Sequence, residues 1–123
     1  MIQNSEFRSM AYQDSGNVVL DKSFHFACDI VIYTEKLKEK FFFEIANQLL
    51  KSGTSIGANV RESKRGVSTR DFKNKLGIAL KEADETSFWL DVIEETNIYE
   101  VPSKLREDCE VLINLLVSII KNS

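Results

Sequence analysis

Apolar residues recur every three or four positions through most of this chain, which is the period of a helix and not of a strand. Phe24, Ala27, Val31, Thr34 and Leu37 share one stripe and predict a first helix from about Asp21 to Lys38, with Asp21 or Ser23 as its cap. A break is expected near Lys38–Lys40, although KLKEKFF holds neither Gly nor Pro. A second helix runs from about Phe41 to Arg65. It has two stripes: Phe42, Ile45, Leu49, Ile56 and Val60, then Phe43, Ala46, Leu50, Gly53 and Gly57. Two stripes imply burial on two sides. Gly66 is expected to close this helix in the left-handed region, and Ser68 to cap a third helix with Asp71 three residues on. Val67 and Phe72 occupy the staple positions around that cap. The core stripe of the third helix is Phe72, Leu76, Ala79, Ala83, Ser87, Leu90 and Ile93, with Ile78, Trp89 and Val92 beside it. A linker, Thr96 to Val101, precedes Pro102, which suits the first turn of a fourth helix. Leu105, Cys109, Leu112, Leu116 and Ile119 form its stripe, with Ile113, Val117 and Ile120 alongside.

Four long helices with short connections predict an all-α, antiparallel up-down-up-down four-helix bundle over residues 20–123. Residues 1–19 have no period and read as an N-terminal arm, broken at Gly16-Asn17.

Composition agrees. One Pro and five Gly in 123 residues leave little for the turns that many short strands need. Apolar content of 43%, with eight Phe, supports a real core without metal or disulfide staples. Cys28 and Cys109 sit on separate predicted helices without metal spacing and are expected as two buried free thiols. The longest apolar run, Val111 to Ile120, is half a membrane span and contains Asn114 and Ser118. Glu6 and Arg8 interrupt any secretion signal, so a cytoplasmic location is expected.

Charge changes the picture. The chain carries a net charge of -3, yet Lys51 to Lys75 holds seven basic residues against two acidic ones. Arg61, Lys64 and Arg65 fall in the last turns of the second helix, where cations suit the macrodipole. The third helix reverses that order, with Arg70 and Lys73 at its start and Glu94 and Glu95 near its end. A charge order that opposes local stability points to another use, and a nucleic-acid backbone is one. Candidate phosphate contacts are therefore Arg61, Lys64, Arg65, Arg70 and Lys73. No aromatics interleave with them along the sequence, which argues against base stacking.

The remaining candidates are packing residues. Gly53 and Gly57 flatten one helix face for close backbone approach. Asn59 falls near the apolar face and is expected to fix register against a neighbour, while Glu62 is expected to pair with Arg61, Arg65 or another chain. His25 is the one histidine and lies beside Phe24 and Phe26. The Glu-x-x-His pattern of di-metal bundles is absent, and so are phosphate loops and nucleophile motifs. No enzyme activity, metal, cofactor or small-molecule substrate is expected.

NVVLDKSFHFACDI, then QLLKSGTSIGANVRE, then IALKEADETSFWLDVI resembles a bacterial four-helix-bundle family. Its founding members are encoded in intervening sequences of 23S ribosomal RNA genes. The likeness covers roughly Asn17 to Ile120. It implies an antiparallel bundle that assembles as a homopentameric ring. It also implies kinship with the accessory protein of diversity-generating retroelements, which binds nucleic acid and reverse transcriptase through a basic surface. The family's Asn-x-x-Glu falls on Asn59 and Glu62, its basic turn on Arg61, Lys64, Arg65 and Arg70, and its IALKEA helix on Ile78 to Ala83. Many members have Gly after the Glu, where this chain has Ser63, so the helix is expected to continue to Gly66. The second apolar stripes, including Ile78 and Trp89, predict a homo-oligomer. The expected partners are the chain itself and RNA or a ribonucleoprotein. The alternative is a protein-interaction scaffold that binds no nucleic acid.

Overall fold

A computed structural model describes residues 12–123 of the chain, and the first part of the expected arm, residues 1–11, lies outside the described residues. Among the described residues four helices follow in order: α1 (Val18–Glu39), α2 (Phe43–Ser63), α3 (Thr69–Thr96) and α4 (Ser103–Lys121). Each packs beside its sequence neighbours, and α4 closes against α1. Contacts between neighbours run in opposite senses. Gly53 meets Ile30 and Gly57 meets Ser23 across α1–α2. Ser52 meets Thr86 and Glu62 meets Lys75 across α2–α3. Cys109 meets Ala83 and Arg106 meets Asp91 across α3–α4, so each helix is antiparallel to the next in sequence and the chain is an up-down-up-down bundle.

The core is Phe26, Ile30, Leu37, Leu49, Ile56, Leu76, Leu90, Ile93, Leu112 and Leu116, with smaller residues between them. The stripe on α1 differs from the expected one. Phe26, Ile30 and Tyr33 are buried, whereas Phe24 and Ala27 are half-buried and Val31 is exposed. On α3, Thr86 and not Ser87 takes the core position. Its hydroxyl lies 2.9 Å from that of buried Ser52. Each hydroxyl has one proton, so one donates across the seam and the other back to a carbonyl of its own helix, Glu82 or Leu49.

Helix ends also correct the expectation. Asn17 caps α1, its Oδ1 accepting the Leu20 N–H at 3.0 Å, so the helix starts before Asp21 or Ser23. The α1–α2 break is a Schellman turn, in which Phe42 N–H donates to Leu37 O and Phe41 N–H to Lys38 O. Phe41 holds the left-handed position at φ 69, with its side chain 79% exposed. Gly66 has no positive φ. It is small because a Cβ there would sit 3.2 Å from Asp71 Cβ and Phe72 N. Ser68 Oγ accepts the Asp71 N–H at 3.1 Å and caps α3, while Val67, 93% exposed, makes no staple. Pro102 precedes α4 as its N-cap residue and not as its first turn. Of the cysteines, Cys109 is buried and Cys28 is exposed.

Two glycine substitutions are expected to differ in sign. A Cβ on Gly53 would lie 2.8 Å from Ile30 Cγ1, whereas one on Gly77 would meet nothing within 4 Å. Gly77→Ala is expected to gain about 0.5–1 kcal/mol from helix propensity alone. Gly53→Ala is expected to lose about 1–2 kcal/mol net, since overpacking outweighs that gain. Urea denaturation of both variants checks this, and equal gains would show that the α1–α2 seam yields freely. In the same assay Phe41→Gly is expected to stabilise by about 1 kcal/mol, because only glycine takes a left-handed cap without strain.

Candidate nucleic-acid interface

One end of the bundle gathers the N-termini of α1 and α3 and the C-termini of α2 and α4. The α2–α3 turn crosses it with Lys64 and Arg65, flanked by Arg61 at the end of α2 and by Arg70 and Lys73 at the start of α3. Arg61, Lys64, Arg65 and Arg70 are exposed, and Lys73 is half-buried. None of these five forms an ion pair among the described residues. Lys75 does: its Nζ lies 2.7 Å from Glu62 Oε1. Glu62 therefore bridges α2 to α3, and does not pair with Arg61 or Arg65 as expected. The reversed charge order of α3 has a local explanation at one end only. Arg106 of α4 pairs with Asp91 and, at 3.2 Å, with Glu94. Those carboxylates, Asp91 first, raise the Arg106 pKa above its ordinary value. Arg70 and Lys73 at the α3 N-terminus have no such partner among the described residues.

Beside Arg61 the fold builds an aromatic corner absent from the linear sequence. Tyr12 lies flat on Phe24, with ring centroids 3.8 Å apart and planes 6° from parallel. His25 meets both rings edge-on. The Arg61 guanidinium lies 5.8 Å from the Phe24 centroid. Asp21 anchors the lead-in by accepting from the Ser15 and Gly16 N–H groups and the Ser15 and Tyr12 hydroxyls. The Ser15 N–H above all, helped by the two hydroxyls, holds the Asp21 carboxyl below its ordinary pKa. Desolvation, then the Asp21 hydrogen bond, pushes the Tyr12 phenol up to about 12. At neutral pH the phenol is thus a neutral donor to a charged carboxylate. This contact strengthens folding above the usual carboxylate range and is lost as pH falls through the lowered Asp21 value. His25 Nε2 lies 2.7 Å from Asp14 Oδ1. Sequence reasoning missed the corner because Tyr12 lies outside any periodic segment.

An apolar cleft of about 370 Å³ opens at the same end, lined by Val18, Val19, Val60, Phe72, Leu115 and Lys64 among others. The packing candidates fall elsewhere. Gly53 and Gly57 face α1, where a Gly57 Cβ would lie 3.0 Å from the Ser23 carbonyl oxygen. Asn59 is half-buried and donates 2.8 Å to Ser55 O of its own helix. It forms no cross-helix hydrogen bond among the described residues. Trp89 packs near Ile45 and Gln48 of α2, and its buried indole N–H has no partner among the described residues. Ile78 lies on the same stripe of α3, three turns away, and is exposed.

Among the described residues no group of three or more His, Cys, Asp and Glu is placed to hold a metal ion. No described helix is long and apolar enough to cross a membrane. Burial pushes the Cys109 thiol up to about 12, far from a nucleophile at neutral pH.

A comparison with functionally curated proteins finds no match. Solved structures that are similar include one that matches over 84% of this chain and 98% of its own, at 45% identity and a TM-score of 0.80. It is a protein of unknown function from the S23 ribosomal protein family of Bacteroides thetaiotaomicron VPI-5482. The family model for the 23S rRNA-intervening sequence protein matches residues 16–118, which span all of α1 to α3 and most of α4. On that match the chain belongs to the 23S rRNA-intervening sequence protein family.

Proposed function

We propose that this chain is a non-enzymatic, self-associating bundle of the cell interior that holds RNA or a ribonucleoprotein by its phosphate backbone. One observation carries the reading: five cations without ion pairs among the described residues, Arg61, Lys64, Arg65, Arg70 and Lys73, meet at one end of an acidic protein. Stability alone does not call for Arg70 and Lys73 at a helix N-terminus. Phosphate binding does, because cations that neutralise RNA phosphates release the counterions condensed on them, and the N-terminal dipole of α3 adds to the attraction. The link to ribosomal RNA genes in the family's name agrees with this reading. Such contacts position a backbone without reading its bases.

Self-association supports the same function. Val31, Ile32, Ile78, Phe88, Val111 and Val117 remain exposed on the sides of the bundle. A ring formed through such faces, a pentamer by family resemblance, multiplies a modest basic patch through avidity. A second reading rests on the apolar cleft beside Lys64, which suits an apolar side chain of a protein partner.

Retention of structured RNA at near-physiological salt is expected to fall at least about tenfold in Arg61→Glu, Arg65→Glu. Equal retention by parent and variant, or none by the parent, would sink the proposal. Co-purification of a protein partner that survives nuclease treatment would favour the scaffold reading instead. Light scattering is expected to show an oligomer at micromolar concentration.

A further inference from the structure

The aromatic corner bears on which form of nucleic acid the basic end takes, and it rests on the phosphate-binding reading above. A duplex presents phosphates but keeps its base faces stacked inside, whereas a single strand or loop presents both. The fold sets the Phe24 ring of α1 against Arg61, with Tyr12 from the lead-in stacked on Phe24 and His25 edge-on to both. Tyr12 and Phe24 already stack in parallel at 3.8 Å, the geometry of neighbouring bases. His25 stands edge-on to both, its side chain 56% exposed and its ring within reach of a ligand.

The charges around the rings sort a ligand into parts. Asp14 lies against His25, and Asp21 against the Tyr12 hydroxyl. Both carboxylates repel a phosphate at the corner; Asp21 is already filled by the lead-in, whereas Asp14 meets His25 through one oxygen and leaves the other to accept from the exocyclic amine of a base. Lys64, Arg65, Arg70 and Lys73, on the neighbouring turn, attract the phosphates. Arg61 stands at the boundary, over Phe24 and beside the cations. We infer that the basic end prefers single-stranded or looped nucleic acid, one base stacking on the Tyr12–Phe24–His25 corner while the backbone crosses the α2–α3 turn.

Fluorescence anisotropy with a 12-nucleotide mixed-sequence RNA, and with the same sequence as a 12-base-pair duplex, tests this in one buffer. The parent is expected to bind the single strand at least about tenfold tighter, since stacking adds to phosphate contact. Tyr12→Ala, His25→Ala is expected to lose about fivefold or more on the single strand and to leave the duplex unchanged. Tyr12→Phe, which keeps the ring, is expected to bind like the parent. A role confined to anchoring the lead-in would leave the single-strand to duplex ratio where it was. Equal parent affinity for both forms, or equal losses on both in a variant with parental circular dichroism, overturns this inference and leaves phosphate binding standing. No binding of either form overturns both.

Discussion

Two missing side chains set the seam on which the rest of the bundle depends. Gly53 and Gly57 let α1 and α2 approach until a Cβ on either would press on Ile30 or on the Ser23 carbonyl. Each glycine costs about 1 kcal/mol of helix propensity, so the approach must return at least that much in packing. It also governs the basic end. With Gly57 against Ser23 and Phe24, the next turn of α2 carries Arg61 over the Phe24 ring. The contact that closes the core therefore also places a cation from α2 among the aromatics of α1. A wider seam would separate them.

Polar groups in the core take a subordinate part. Ser23, Thr34 and Ser63 are buried and return their hydroxyls to carbonyls of their own helices. Small hydroxyls satisfied in this way let helices close up without a partner across the gap. Ser52 and Thr86 are the buried pair whose side chains meet across a seam among the described residues. Register along α2–α3 thus rests on that pair, on the Glu62–Lys75 bridge and on side-chain size. The bridge is exposed and adds little stability. It matters more for what it consumes, since it removes Lys75 from the cations available at the bundle end.

The bundle itself was legible because helical periodicity persists through four segments. The phase of α1 was not. From Phe24 to Tyr33 every residue but His25 and Asp29 is apolar, so the sequence offers two stripes of similar strength. The helix uses one against the core and leaves Phe24 beside α2, under Arg61, and apolarity alone cannot choose between them. Thr86 and Ser87 are ambiguous for a related reason: both carry hydroxyls, and neither gives an apolar signal that chooses which one faces the core. The end of α1 was hard to see because a phenylalanine occupies the position where glycine usually stands. At the site, the cations were visible as a local excess of charge. Their sorting was not, since Glu62 finds Lys75 across a helix seam and Arg106 finds Asp91 and Glu94 from another element. Tyr12, Phe24 and Arg61 lie far apart in sequence and are joined only by the fold.

On the proposed reading, the acidity of the chain is part of recognition and not an objection to it. Outside Lys51–Lys75 the chain holds nine basic and seventeen acidic residues. A phosphate chain is therefore repelled by most of the surface and attracted at one end, and a Debye length of about 8 Å confines each effect to its own region at physiological salt. A uniformly basic bundle would bind RNA along its sides, where Ile78, Phe88, Val111 and Val117 leave apolar surface for self-association. Restricting the cations to the α2–α3 turn separates the two surfaces. The sides can then join copies while the ends face one way, and ligand binding need not compete with assembly.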